Sequence, residues 1–416
     1  METTRREFAQ WLAASLGLTL AGGERVSALP AIPAPKEKRM AASGPDVGSL
    51  YPFIQSQAVK GEFPLSFLRG EFHDLNAWKQ RVRGRLLELL HYAPPKCDPH
   101  PEVVETRDRG DYLQEKLYFN TTPDIRVPAY VLIPKNAQRP LPAIVALHDH
   151  GGFYLWGKEK LVEDPDAHPA LQEWQKTYYG GNAIAAVLAR QGYLVIVIDM
   201  FYWGERRMLL DDDPADWRER PKTLSAARIQ EFNARASRHE ELVGRTIYTA
   251  GFTWPGVMLW DDIRTVDYLL TRPEVDKNRI GCVGLSVGGF RTFHLAALDE
   301  RIKAAVAVGW MCSTPAQLRN RTIHTIGYSM VVPGLFRSLD YPDVASLAMP
   351  RALMVINGSQ DGLFDLDGVR ACFDKLTACY KKAGVPDKVR VRLFDAPHEF
   401  NGAMQAEAWD WLRTHV

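Results

Sequence analysis

Cysteine is scarce in this chain. Its 416 residues hold five, at positions 97, 282, 312, 372 and 379, an odd number with no Cys-x-x-Cys pair. That excludes a small disulfide-framed fold and a thiolate zinc ribbon. Cys372 and Cys379 come nearest to a pair. Seven residues apart on an expected helix, they stand roughly 10 Å apart by helical rise, too far to bridge. An excess of one charge is lacking as well: 51 Lys and Arg stand against 50 Asp and Glu, a formal net charge of +1 with no block of like charge. Nothing here draws the chain to nucleic acid or to an anionic membrane. No apolar run reaches the about 20 residues needed to cross a bilayer, so stable membrane insertion is not expected. Repeats at solenoid or propeller periods are absent, and so is any His-Glu-x-x-His motif. What remains is ordinary globular material, 46% hydrophobic and 24% charged, long enough for one large domain with additions or for two domains.

The first residues read as a leader. "TTRREFAQWLAASLGLTLAGG" pairs Arg5 with Arg6, then carries an apolar stretch from Trp11 to about Gly22, followed by small residues at Val26 to Ala28. This is the pattern of a twin-arginine signal over residues 1–28, and it implies the twin-arginine export machinery as partner and a periplasmic or secreted bacterial protein. "LPAIPAPKEK" then begins a Pro-rich linker. Residues 29–100 are expected as linker and N-terminal helical extension, with "LNAWKQRVRGRLLELLHY" its clear helix.

From about residue 101 to 416 strands and helices alternate. "YLQEKLYF" and "VPAYVLIP" form an opening hairpin. The apolar runs "PAIVALH", "YLVIVID", "RIGCVGL", "KAAVAVG" and "RALMVIN" read as strands buried on both faces, and "KVRVRLF" completes the series. Helical patterns separate them, among them 182–192 and 367–384. This is an α/β fold with a mostly parallel sheet covered by helices, which binds ligands at the carboxyl ends of its strands. Two stretches, about 200–250 and 311–347, break the rhythm and are expected as loops that build a site or a lid.

"GLSVGG" at 284–289 falls where the strand "RIGCVGL" hands over to a helix. A tight turn there leaves no room beside the serine, which Gly284 and Gly288 respect, and Gly289 lets the helix approach the sheet. Ser286 is the candidate nucleophile. Its base is expected after the last strand, at His398 in "FDAPHEF". The acid is expected after the preceding strand, at Asp361 in "GSQDGLFD", with Asp365 as its rival. The oxyanion amides are expected at Val287 and at His150, with Gly151 as fallback. His148, Asp149 and His150 could hold a metal, but zinc sites recruit a further cluster that the chain lacks, so no metal or other cofactor is expected. Tyr154, Trp203 and Trp310, with Trp156, Tyr202 and Trp254, fall in loops near strand ends and are candidates for stacking on a sugar ring. In "DMFYWGERR", Asp199, Glu205, Arg206 and Arg207 suggest structural ion pairing or, alternatively, an arginine that recognises a carboxylate.

"VDKNRIGCVGLSVGG", "HDHGG", "IDMFYWGER" and "GSQDGLF" with "APHEF", in that order, resemble the α/β-hydrolase superfamily, and most of all its acetyl xylan esterase-like and dienelactone hydrolase-like branch. The resemblance spans about residues 100–416. It implies Ser286, Asp361 and His398 as the triad, His150 and Val287 as oxyanion amides, and a small-molecule or carbohydrate ester as substrate. Two departures stand out: Asp149 replaces a glycine of the usual H-G-x-x-G, and the cysteine nucleophile of dienelactone hydrolases is a serine here. An exported serine peptidase or amidase is the rival activity, and a binding protein on the same fold the rival class.

Overall fold

The computed structural model describes residues 50–217, 224–318 and 322–416. The expected leader, 1–28, and the first part of the linker therefore lie outside the described residues. The chain divides into a unit ending at Ala58, whose described part is the short helix α1 (Tyr51–Gln57), and a unit from Val59 to Val416.

The larger unit is built on a nine-stranded sheet. Its strands are β1 (Glu102–Asp108), β2 (Tyr112–Thr122), β3 (Ile125–Pro134), β4 (Leu141–Leu147), β5 (Leu194–Ile198), β6 (Val275–Leu285), β7 (Ile302–Val308), β8 (Ala352–Gly358) and β9 (Val389–Phe394). They lie in the order β1-β2-β3-β5-β4-β6-β7-β8-β9. The β1/β2, β2/β3 and β3/β5 pairs are antiparallel, and every pair from β5 to β9 is parallel. The apolar runs therefore do what their sequence demands. Strands β5 and β8 are buried at every position, and β4 and β7 at every position but one, because helices cover both faces. Strand β9 alternates half-buried and exposed residues, as suits an edge. β1 is the strand that the sequence reading leaves out. It is an exposed edge strand, Glu-Val-Val-Glu-Thr-Arg-Asp, without a buried face to give it a pattern.

The helices of this unit are α2 (Leu75–Leu90), α3 (Pro169–Tyr179), α4 (Ile184–Arg190), α5 (Ala226–Thr249), α6 (Trp254–Leu269), α7 (Val287–Leu298), α8 (Leu366–Lys382) and α9 (Gly402–His415), with several single turns besides. Helix α2 starts where the Asp74 carboxylate accepts the N–H groups of Asn76 and Ala77. It buries Trp78, Val82, Leu86 and Leu89, while Arg83 donates to Ala297 O and pairs with Glu300. Each such apolar side chain contributes roughly 1.5–3 kcal/mol when taken out of water, so this segment is part of the core.

The second half of the stretch expected as a long loop at 200–250 is the 24-residue helix α5. The Ser225 hydroxyl caps it by accepting the Arg228 N–H, and Ile229, Phe232, Asn233, Val243 and Ile247 form its buried side. The 311–347 stretch holds short turns and the capped helix Tyr341–Ser346. Among the described residues no helix is long and apolar enough to cross a membrane.

Candidate active site

Strand β6 delivers Ser286 and α7 begins at the next residue. Ser286 adopts φ 60° and ψ −123°, a left-handed backbone that costs a non-glycine residue about 1–3 kcal/mol. Its neighbours show what holds it there. A Cβ on Gly288 would lie 2.0 Å from Leu147 O, one on Gly284 2.5 Å from Gly288 C, and one on Gly289 2.5 Å from Val308 O. All three contacts are with backbone, so only glycine lets α7 start this close to β4 and β7. The Ser286 N–H donates to Val308 O at 2.8 Å and ties the turn to the end of β7. Ser286 is buried, with 7% of its surface exposed.

Asp361 follows β8 and His398 follows β9. The Asp361 Oδ2 lies 2.6 Å from His398 Nδ1, while Asp361 Oδ1 accepts the Leu363 N–H at 3.0 Å. The carboxylate is thus pinned from both sides, and the histidine is left with Nε2 as its other ring nitrogen. Gly309, at φ 63°, brings the histidine to the serine turn. A Cβ on it would lie 3.1 Å from His398 Cε1 and 3.2 Å from Leu285 Cδ1, the side chain just before Ser286. Burial alone would lower the His398 imidazole from its ordinary 6.5, but the charge of Asp361 and the bond to it outweigh burial and raise it. Asp365, the rival acid, is the N-cap of α8, where its Oδ1 accepts the Gly368 N–H at 2.9 Å.

The loop after β4 runs beside the serine turn, since Leu147 pairs with Gly284 and Gly288 abuts Leu147 O. Gly151 and Gly152 are both left-handed, with φ 57° and 66°. Among the described residues no hydrogen-bond acceptor takes the N–H of His150 or of Val287, the first residue of α7. The side chains of "HDH" do not converge on one point. His148 Nδ1 bonds Asp149 O, Asp149 pairs with Lys160, and His150 Nε2 lies 2.7 Å from Glu240 Oε1 on α5.

Of the six aromatic candidates five are buried, among them Tyr154 at 1% exposed, Trp203 at 0% and Trp310 at 3%, and Trp156 is half-buried. Tyr154 stacks on Trp203 at 4.8 Å and donates its hydroxyl to Glu240 Oε1, and Trp203 Nε1 donates to His150 O. Trp310 packs edge-on against Phe290 and Phe364. In this arrangement these three rings hold the loops around the serine and have no open face of their own.

Glu159, Asp199 and Glu205 gather carboxylate oxygens within 4.8 Å of one another, close enough for a cation. Lys158 Nζ fills that place, 2.9 Å from Glu159 Oε1, 2.9 Å from Asp199 Oδ2 and 2.6 Å from Glu205 Oε1. Arg206 pairs with Asp261 at 2.7 Å, and Arg207 donates to Gly204 O and Trp217 O. The motif "DMFYWGERR" is therefore an internal ion-pair network. Lys158, Lys160 and Glu240 escaped the sequence reading. A lysine inside "LWGKEKL" looks like any solvated charge, and Glu240 is one acid on a long charged helix.

Comparison with known proteins extends this geometry. YtaP of Bacillus subtilis (strain 168), provisionally named a hydrolase, is 26% identical over 331 residues, 80% of this chain and 97% of its own. A Bacteroides fragilis NCTC 9343 structure provisionally named an acetyl xylan esterase superposes with a TM-score of 0.60 at 19% identity, covering 83% of this chain and 82% of that one. The glucuronoyl esterase from Solibacter usitatus gives a TM-score of 0.60 at 14% identity, covering 86% and 99%. At these identities the solved structures speak for the α/β-hydrolase fold. The sequence model of the Abhydrolase family matches residues 50–214 and 222–407, and with so much of the chain matched the protein belongs to that family.

Proposed function

We propose that the protein is a serine hydrolase of carboxylic esters that works through an acyl-enzyme on Ser286, with esters of carbohydrates as its substrate class. One observation carries the reading: the 2.6 Å hydrogen bond that ties His398 to Asp361, beside a serine held at φ 60° on a strand-to-helix turn. With Nδ1 committed to the acid, His398 Nε2 takes the Ser286 proton as Oγ attacks the ester carbonyl. The N–H groups of Val287 and His150 receive the oxyanion, aided by the N-terminus of α7. The protonated histidine then gives its proton to the leaving alcohol. Water, activated by the same ring, attacks the acyl carbonyl, releases the acid and returns the proton to Ser286.

The names of the structural relatives, an acetyl xylan esterase and a glucuronoyl esterase, support a carbohydrate ester. Export through the twin-arginine route is part of the same proposal and rests on Arg5, Arg6 and the apolar stretch after them. So does the division into a signal over 1–28, a linker with helical extension over 29–100 and a catalytic domain over 101–416.

The test uses purified protein on p-nitrophenyl acetate, acetylated xylan and an aminoacyl anilide. Ester turnover that disappears in Ser286→Ala with an unchanged circular dichroism spectrum is the expected result. Preference for the anilide would move the assignment to a peptidase or amidase. Wild-type turnover in Ser286→Ala would remove the site altogether.

A further inference from the structure

The loop after β4 rests on a buried ammonium that the mechanism above does not use. Lys160 Nζ is fully enclosed and donates to Asp149 O at 3.0 Å, Asp149 Oδ2 at 3.1 Å and His150 O at 3.1 Å. His148 adds a second donor to the Asp149 carbonyl. Its Nδ1 lies 2.9 Å from Asp149 O, and its Nε2 accepts the Met200 N–H at 3.1 Å. An acceptor at Nε2 places the proton on Nδ1, so the ring is neutral and donates to the carbonyl. The His150 carbonyl is held as firmly, by Lys160, by Trp203 Nε1 at 3.2 Å and by the Phe153 N–H at 3.3 Å.

Peptide geometry turns these contacts into a direction. In a trans peptide the C=O and the N–H point to opposite sides. Two consecutive carbonyls drawn to one cation therefore send the N–H groups of His150 and Gly151 the other way. Gly151, left-handed at φ 57°, has the conformation in which successive N–H groups converge on an anion. Donors on a carbonyl also polarise the N–H of the same peptide, so the bonds from Lys160 and His148 strengthen the His150 amide as a donor. Gly288, two residues past Ser286, would touch both Leu147 O and His148 O with a Cβ, which sets this loop beside the serine.

We propose that Lys160 and His148 are positioning residues: by holding the carbonyls of Asp149 and His150 they aim the oxyanion amides, and the Asp149 carboxylate is there to neutralise Lys160. The proposal rests on the role given to Ser286 above. It accounts for the aspartate at a position where the related motif has glycine. A buried ammonium needs a buried partner, and Asp149 is itself steadied by the Tyr179 hydroxyl at 2.6 Å and Trp174 Nε1 at 3.4 Å.

The variant Lys160→Met/Asp149→Asn removes both charges together and leaves neither alone in the interior. Active sites are counted by titration of Ser286 with an organophosphonate, and turnover is expressed per titrated site. The oxyanion forms only on the way to the transition state, so kcat on p-nitrophenyl acetate is expected to fall about 10–100-fold with KM nearly unchanged. The inhibition constant of phenylboronic acid, whose adduct is a tetrahedral anion, is expected to rise in parallel. His148→Phe removes one neutral donor, together with the acceptor of the Met200 N–H, and touches no charge. It carries the same expectation in smaller measure should the double variant fail to fold. Unchanged kcat per titrated site and unchanged boronic acid binding in the variants that fold would overturn the proposal and leave the cluster a purely structural one. Wild-type turnover in Ser286→Ala would instead overturn the reading beneath it.

Discussion

At the scale of single residues, two aspartates four positions apart have different partners. Asp361 spends its two oxygens on His398 and on the Leu363 N–H, while Asp365 caps α8. Replacing Asp361 by Asn keeps the shape but cannot stabilise the charged imidazole, and a comparable loss in a protease triad lowers turnover about 10⁴-fold. Asp365→Ala removes a helix cap, a change that costs about 1 kcal/mol. A steep fall in kcat for the first variant, and a lower Tm at near-normal kcat for the second, is the expected pair of results. The reverse pattern would hand the histidine to Asp365.

The raised pKa of His398 has consequences of opposite sign for rate and stability. As the base proposed above, His398 must be neutral to accept a proton, so kcat/KM should rise with pH through an inflection above the ordinary 6.5. The charged pair stabilises the fold below the unfolded-state pKa, and that share is lost as pH rises through the folded value. A pH–rate profile that inflects below 6.5, or one that Asp361→Asn leaves in place, would contradict the assignment. The sequence offers Ser286, Asp361 and His398 as candidates because flanking glycines and strand ends mark them. It could not single out Lys160, since nothing local tells a buried lysine from a solvated one.

Elements were legible in proportion to how far burial stamped a period on them. Strands β4, β5, β7 and β8 read plainly because runs such as Ala-Ile-Val-Ala-Leu and Leu-Val-Ile-Val-Ile have one physical use, a strand covered on both faces. β1 did not, because solvent on its residues leaves no alternation to detect. Helix α5 is the larger omission. Ile229, Phe232, Val243 and Ile247 keep helical spacing, but charged and polar residues crowd the turns between them, and Arg, Glu and Ala are good helix formers whether or not a core waits beneath. Its importance is the placement of Glu240 against His150 and Tyr154, a contact 90 residues away in sequence for the histidine. No local pattern encodes such a pairing. The same limit applies to the aromatic residues: Tyr154, Trp203 and Trp310 follow the ends of β4, β5 and β7, whereas Trp254 opens α6, and which rings face inward depends on loops closing over one another.

For the whole molecule, the near balance of charge in the composition conceals where the charges go. Some of them lie inside, where they tie segments together: Asp149 with Lys160 within the loop after β4, Arg291 on α7 with Asp262 on α6, Arg206 with Asp261 on α6, and Lys158 with Asp199, Glu159 and Glu205. The last of these is the most exacting. Asp199 directly follows β5 and accepts the N–H groups of Lys158 and Glu205 as well as the lysine ammonium, so three segments meet on one carboxylate. Lys158→Met would leave three carboxylates crowded together, with Lys116 Nζ still 3.1 Å from Glu205. Removing one partner of a buried ion pair costs about 3–5 kcal/mol. Without the lysine, mutual repulsion and burial push these carboxylates up in the folded state relative to the unfolded one. The folded variant then binds more protons at neutral pH, and its stability should recover as pH falls. Urea denaturation of wild type and Lys158→Met at pH 5.5 and pH 8 tests this. The variant should lose most at pH 8 and regain part of the loss at pH 5.5. A midpoint equal to wild type at both pH values would mean that the cluster stabilises nothing and that the loops are held by their apolar packing alone.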